Sequence, residues 1–181
     1  MQKLLLLPFV LLLIILDPGY SSARVVSHPS YDAQVVFTRY DPFDIRQSPG
    51  KGVTASGLRA TIPSLGSSTP MYVAAVRRTS KHFGKLYYAN LRQGKARLRC
   101  FLYVIDTGAL GLSPNQMDIA VTGGHIKRVS PFMSWKGSLH FFKLTEVASF
   151  VRQGERYREG LLPSPHAIQK KIRKGEFNYM I

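Results

Sequence analysis

Asp106 and Asp118 are the residues of this chain whose type and placement could do chemistry. The apolar run FLYVI at 101–105 ends at Asp106, and the run MDIAV at 117–121 contains Asp118. An aspartate in a buried strand costs free energy unless it is paired or has a chemical role. The chain has only 10 acidic residues against 25 lysines and arginines, so two aspartates this close in sequence make a candidate catalytic or ligand-binding site.

Both aspartates also have a purely structural interpretation. Asp106 begins an Asp-Thr-Gly sequence after an apolar run, which is good turn chemistry. Asp118 could form a structural ion pair with one of the many arginines. Both alternatives stay open at the level of the sequence.

The elements that would position these residues are strands. Short apolar runs that are bounded by Gly and Pro predict strands rather than helices. Such runs are found at 34–40, 71–76, 85–89, 101–105, 117–121 and 138–144. Residues 145–152 are predicted as a short helix or a strand extension, and 166–174 as a basic helical turn or two.

The two ends of the chain differ from the middle. Residues 1–23 resemble a secretory signal peptide, with Lys3, an apolar run at 4–16 and small residues before the expected cleavage site. An uncleaved anchor is the alternative, and no stable membrane insertion is expected after cleavage. We predict a secreted or extracytoplasmic protein with one domain at 24–152 and a basic C-terminal tail at 153–181, either packed on the domain or partly disordered.

The formal net charge of +15 is large for 181 residues. In an exported protein this charge favours anionic wall glycans or membrane surfaces as partners, and nucleic acid is not expected. The alternative is a charge that only maintains solubility. The single cysteine, Cys100, excludes an intrachain disulfide, and its spacing to the five histidines predicts no metal site. We expect a monomer without a cofactor.

Five motifs occur in an order that resembles a known family. They are Tyr40 within TRYDPF, GVTASG at 52–57, VAAV at 73–76 followed by Phe83-Gly84, VIDTG at 104–108, and MDIAV at 117–121. This order resembles the 3D domain, named for three aspartates, and its relative, the catalytic domain of membrane-bound lytic transglycosylase A. Rare lipoprotein A and the expansins are more distant relatives of that family. The resemblance covers roughly residues 34–144.

The resemblance implies a mainly β fold, a six-stranded double-psi β-barrel with a surface groove for an extended glycan such as peptidoglycan. Asp118 would be the general acid/base, with a pKa raised by the nearby Asp106 carboxylate, and Asp106 would stay ionised. The predicted substrate-binding residues are Tyr40, Thr54, Ser56, Arg77, Gly108 and His125.

One position departs from the family pattern. The first of the three aspartates falls at Arg77 or Arg78 here. An arginine beside the two carboxylates would lower both pKa values, which works against a protonated acid at neutral pH. It could instead bind an acidic substituent of the substrate.

Three function classes follow from these observations. The first is a secreted glycan-cleaving enzyme of the lytic transglycosylase kind. The second is an expansin-like module that binds or loosens wall polysaccharide without catalysis, and the third is a cationic effector that acts on membranes or a host partner. A Ser-His-Asp hydrolase is disfavoured because the chain has no G-x-S-x-G motif. Trp135 is expected either to stack on a sugar or to pack structurally.

Overall fold

A computed structural model of the protein describes residues 24–108, 111–135, 138–150 and 162–177, with side chains described from residue 34. The predicted signal peptide at 1–23 lies outside the described residues. None of the described helices is long and apolar enough to cross a membrane.

The fold is mainly β, as predicted, and its six strands close into a barrel in the order β1-β5-β2-β4-β3-β6. The strands are β1 (Arg24–Tyr40), β2 (Met71–Val76), β3 (Lys85–Gln93), β4 (Ala96–Thr107), β5 (Gln116–Ala120) and β6 (Phe141–Ser149). Two short helices accompany them, α1 (Gly124–Val129) and α2 (Pro165–Arg173), and a 3-10 turn at Ser130–Phe132 follows α1.

The pairing of the strands is mixed. β1 pairs with β5, and β2 with β4, in parallel, while the other four pairs of the barrel are antiparallel. If β1, β2 and β3 are exchanged with β4, β5 and β6, respectively, the order of the strands around the barrel is unchanged and the two parallel pairs replace each other. The first three strands and the last three are therefore topologically equivalent halves.

Alternation along the strands separates two apolar layers. One face of β4 contributes Cys100, Leu102 and Val104 to a cluster with residues from the other strands, including Phe37 and Phe142, whose rings stack at 5.5 Å. The intervening residues of β4 belong to a second cluster on the outer face. Closure of the sheet gives the barrel a packed interior and removes open strand edges.

The described part of the C-terminal segment packs on this outer face. Ser164 caps α2 by accepting a hydrogen bond from the Ala167 backbone N–H, and Ile168 is fully buried. The Tyr103 hydroxyl on β4 donates to the Pro163 carbonyl at 2.9 Å. The apolar side of α2 is thus covered by the barrel, and its exposed side is basic.

The bounds of several elements can be compared with the sequence prediction. β6 runs to Ser149, which agrees with the predicted strand extension after residue 144 and not with the alternative of a helix. β1 begins ten residues before the predicted strand at 34–40. Helix α1 was not predicted, because its six residues are too few for a helical period to be visible.

Candidate functional site

Four residues lie side by side across adjacent strands and form what we call the Ala75 row: Thr38, Asp118, Ala75 and Asp106. Thr38 on β1 is the register partner of Asp118 on β5, and Ala75 on β2 is the partner of both Asp118 and Asp106. Register partners face the same side of a sheet, so both predicted aspartates lie on one face. Two interstrand spacings separate their Cα atoms by roughly 10 Å.

A bulge in β4 brings Asp106 onto this face. Ala74 is the partner of Val104, but the next residue, Ala75, is the partner of Asp106, so β4 has one residue extra. Val104 belongs to the interior cluster and Ile105 to the outer one. Without the bulge, Asp106 would continue the alternation toward the interior.

Asp106 accepts three hydrogen bonds. The Tyr40 hydroxyl donates to Oδ2 at 2.7 Å, and the backbone N–H groups of Ala55 and Thr107 donate to Oδ1 at 2.8 Å each. The carboxylate is only 8 % exposed. Burial, followed by the charge of Asp106, raises the pKa of the Tyr40 hydroxyl well above its ordinary value, so this group remains a donor.

The predicted sugar-binding hydroxyls are used within the protein. The hydroxyls of Thr54 and Ser56 share a hydrogen bond of 2.8 Å, and Thr54 Oγ1 also donates to the Leu58 carbonyl. The Ser56 backbone N–H donates to the Ile105 carbonyl on β4. Both side chains are buried, so this segment holds the Ala55 N–H against Asp106 rather than presenting hydroxyls to solvent.

Asp118 has a different environment. It is half-buried, and this burial raises its pKa to about 6. Gln116 opposes the shift: its Nε2 lies 3.5 Å from Asp118 Oδ1, while its shorter hydrogen bond, 2.8 Å, goes to Thr38 Oγ1. The raised pKa agrees with the expectation for a general acid, but its cause is burial rather than the neighbouring carboxylate of Asp106.

Gly108 lies beside Asp118. A Cβ atom on Gly108 would meet the Leu112 side chain at 2.1 Å and would lie 3.6 Å from Asp118 Oδ2. The buried Leu112 therefore occupies the space that a larger residue at 108 would fill. The absence of a side chain at Gly108 lets Leu112 pack close to Asp118.

Arg77 and Arg78 follow β2 directly and are exposed. The expected lowering of the pKa by an arginine does not apply to Asp118, whose pKa is raised and has no arginine among its causes. Arg77 lies two residues beyond Ala75, and its side chain forms no hydrogen bond or ion pair with a described residue. It is a free cation near the end of the strand that separates the aspartates.

His125, a predicted substrate contact, is buried. It is 3 % exposed, its Nδ1 lies 2.8 Å from the Tyr72 hydroxyl, and its Nε2 lies 2.7 Å from the Pro63 carbonyl oxygen. Both ring nitrogens are engaged within the protein in this geometry.

Thr38 and Gln116 were not among the predicted site residues. Both lie on the face of Asp118 at even spacing along their strands, so alternation along 34–40 and 116–120 could have indicated them once the strand pairing was known. Within the described residues, no three His, Cys, Asp or Glu side chains form a group that could hold a metal ion.

No protein-family model, curated protein or solved structure matches this chain. The resemblance to the 3D domain therefore stays a prediction.

We predict that Tyr40→Phe destabilises the fold by about 1–3 kcal/mol, because it removes a donor from a buried carboxylate. The measurement is urea unfolding. Tyr103→Phe, which loses a hydrogen bond to a neutral carbonyl, is the matched control and should cost less, about 0.5–1.5 kcal/mol. Equal losses in the two variants would contradict a special role for the Tyr40–Asp106 hydrogen bond.

We predict that Asp118→Asn changes how stability depends on pH. The folded pKa of Asp118 lies above its ordinary value, so the folded state binds more protons between about pH 4 and 6 and loses stability as the pH rises through that range. At pH 7 the variant should therefore be more stable than the wild type, by roughly 1–3 kcal/mol.

The measurement is the free energy of unfolding at several pH values from 3.5 to 7, in variant and wild type. Asp44→Asn is the control. Hydrogen bonds from Arg46 lower the pKa of Asp44, so this variant should be less stable than the wild type at pH 7 rather than more stable. Identical pH profiles for Asp118→Asn and the wild type would show that Asp118 is not a carboxyl with a raised pKa.

Proposed function

We propose that this protein is an exported enzyme that cleaves peptidoglycan by the lytic transglycosylase reaction, with Asp118 as general acid/base. The observation that carries the proposal is the contrast between the two aspartates of the Ala75 row. Asp118 is half-buried with a pKa of about 6, while Asp106 accepts three hydrogen bonds. Two carboxyl groups held in different environments on one face are what acid–base cleavage of a glycan requires.

The proposal includes a double-psi barrel. Two observations support it: the parallel pairs β1–β5 and β2–β4, and the equivalence of the two halves of the barrel. In such a barrel the loops after β1 and β4 would be the two equivalent crossover loops. These loops contain Ala55, which donates to Asp106, and Leu112, which packs against Gly108 beside Asp118.

The chemistry begins with protonated Asp118. Its proton passes to the glycosidic oxygen as the bond from that oxygen to C1 breaks, which leaves an oxocarbenium-like sugar. Asp118, now ionised, takes the proton of the same sugar's 6-hydroxyl, and the 6-oxygen bonds to C1. The product has a 1,6-anhydro ring, no water is consumed, and Asp118 is protonated again.

Asp106 would act through electrostatics and position. Its Oδ2 accepts a hydrogen bond from Tyr40, and burial, followed by the charge of Asp106 and then that of Asp118, raises the pKa of that hydroxyl. A fixed negative charge near the reacting carbon would stabilise the positive charge that develops there.

We predict that the protein without residues 1–23 releases anhydro-muramyl products from peptidoglycan, and that Asp118→Asn lowers the rate by roughly 10²–10⁴-fold. Mass spectrometry of the soluble products is the measurement. Glu176→Gln, which changes an exposed acidic residue after α2 and outside the site, is the control and should retain activity. Products ending in an ordinary reducing sugar would indicate hydrolysis, and unchanged activity in Asp118→Asn would exclude this residue as the acid.

The pH profile offers an independent check. Because Asp118 must be protonated at the start, kcat/KM should fall as the pH rises through about 6. A rate that rises through the same range would indicate that Asp118 acts as a base in its ionised form.

A non-catalytic module that binds wall polyanions is the second candidate. Arg92 on β3 is the register partner of Arg97 on β4, and both are exposed. Like charges directly opposite each other destabilise a hairpin, so their presence favours a polyanionic partner. The nearby Lys95 and Arg99 are also exposed.

For this candidate we predict salt-sensitive pelleting with peptidoglycan sacculi by wild type and Asp118→Asn alike, without soluble products. Arg92→Gln combined with Arg97→Gln should weaken the pelleting, while Arg173→Gln combined with Lys174→Gln, at the end of α2, is the charge-matched control. Cleavage by the wild type would reject the non-catalytic module, and equal effects of the two double variants would reject the hairpin as its binding surface.

A further inference from the structure

A small pocket adjoins the Ala75 row. It has a volume of about 230 Å³ and is lined by Thr38, Arg39, Gln47, Met133, Ser134 and Trp135. Thr38 belongs to the row itself, and its Oγ1 accepts a hydrogen bond from Gln116, whose Nε2 also lies 3.5 Å from Asp118 Oδ1. Thr38 therefore belongs both to the lining of the pocket and to the row that contains the candidate acid.

An exposed aromatic ring and a cation form one side of the pocket. Trp135 is 51 % exposed, and the Arg39 guanidinium carbon lies 5.5 Å from the centre of its ring. This distance is within the range of a cation–π contact, which holds the guanidinium in place. The Arg39 side chain forms no hydrogen bond or ion pair with another described residue, so its guanidinium donors are free for a ligand.

The remaining polar lining is already engaged. The Gln47 side chain accepts a hydrogen bond from the Asp41 backbone N–H and donates to Asp44 Oδ2. The Ser134 hydroxyl donates to the Ser138 carbonyl, and its backbone N–H donates to the Phe37 carbonyl at 2.8 Å. The groups left to select a ligand are the exposed part of the Trp135 ring that Arg39 does not cover and the guanidinium of Arg39.

These features define the chemistry of the ligand. A sugar ring presents a flat apolar face that stacks on an aromatic side chain, and a guanidinium binds a carboxylate through two parallel hydrogen bonds. The volume is below the roughly 300–1,000 Å³ of pockets for drug-sized molecules, which suits one sugar ring rather than several. A neutral sugar would leave the Arg39 donors unused.

We propose that the pocket is a subsite for a single carboxylate-bearing sugar ring of the glycan, next to the bond at Asp118. This subsite rests on the proposed function for the identity of the polymer, and it adds selection for an acidic sugar. It fixes the position of the glycan along the Ala75 row, because Thr38 and Gln116 connect the pocket to the acid.

The sequence contains a reporter for this site, since Trp135 is the only tryptophan. The experiment is a fluorescence titration of Asp118→Asn, excited where tyrosine does not absorb, so that binding occurs without cleavage. One probe is a peptide-free tetrasaccharide of alternating N-acetylglucosamine and N-acetylmuramic acid, whose lactyl groups carry carboxylates. The other is the neutral tetramer of N-acetylglucosamine.

The acidic tetrasaccharide should change the emission of Trp135 in a saturable way and bind roughly ten- to a hundredfold more tightly than the neutral one. Arg39→Gln in the same background should remove that preference, and raised salt should weaken only the acidic probe. Arg173→Gln, an arginine of α2 outside the pocket, is the matched control and should leave both affinities unchanged.

Equal affinity for the two probes, or an equal loss in Arg39→Gln and Arg173→Gln, would overturn the subsite. Cleavage of peptidoglycan by the wild type without any change in Trp135 emission on binding would also overturn the subsite, but it would keep the proposed reaction. Binding with the expected preference, but no cleavage by the wild type, would keep the subsite and reject the proposed reaction.

Discussion

The carboxylate of Asp106 is the point on which the geometry of the candidate site depends. Its three donors come from the end of β1, from the loop at 41–70 and from the backbone of Thr107 at the end of β4. A buried carboxylate with one donor removed pays a desolvation penalty that nothing else in the site offsets. The loop is therefore fixed to the barrel by a group that the bulge in β4 turns to the outer face.

The two aspartates have carboxyl groups in opposite environments. Asp106 is surrounded by donors, whereas Asp118 has one long contact to an amide and is shielded from water by its surroundings. In a protein with a net charge of +15, the simplest expectation for any aspartate is a nearby cation and a lowered pKa. Asp118 departs from that expectation because burial outweighs the distant positive charge. A destabilising group retained in a fold is a sign of function rather than of packing.

The six strands could be predicted because their apolar runs are short, β-branched and bounded by turn residues. The closeness of Asp106 and Asp118 came only from the resemblance, because no local pattern shows that both are partners of Ala75. Alternation alone would have placed Asp106 in the interior, since a bulge leaves no signal in a single sequence. Thr54 and Ser56 were assigned to the substrate because hydroxyls look alike in a sequence, whether they face solvent or each other. The burial of His125 could not be predicted for a similar reason, as its partners Tyr72 and Pro63 lie more than fifty residues away in the sequence.

The closed barrel also determines when the site forms. Thr38, Ala75, Asp106 and Asp118 come from four strands spread over eighty residues. Two of their three pairings are parallel, and the antiparallel one joins β2 to β5 across β3 and β4 in the sequence, so none is made by a local hairpin. Such non-local pairings form late and slowly, because the loops between them must close first. A chain that is only partly synthesised therefore has no site, whatever its local structure. The topology itself delays any activity until the last strands have joined.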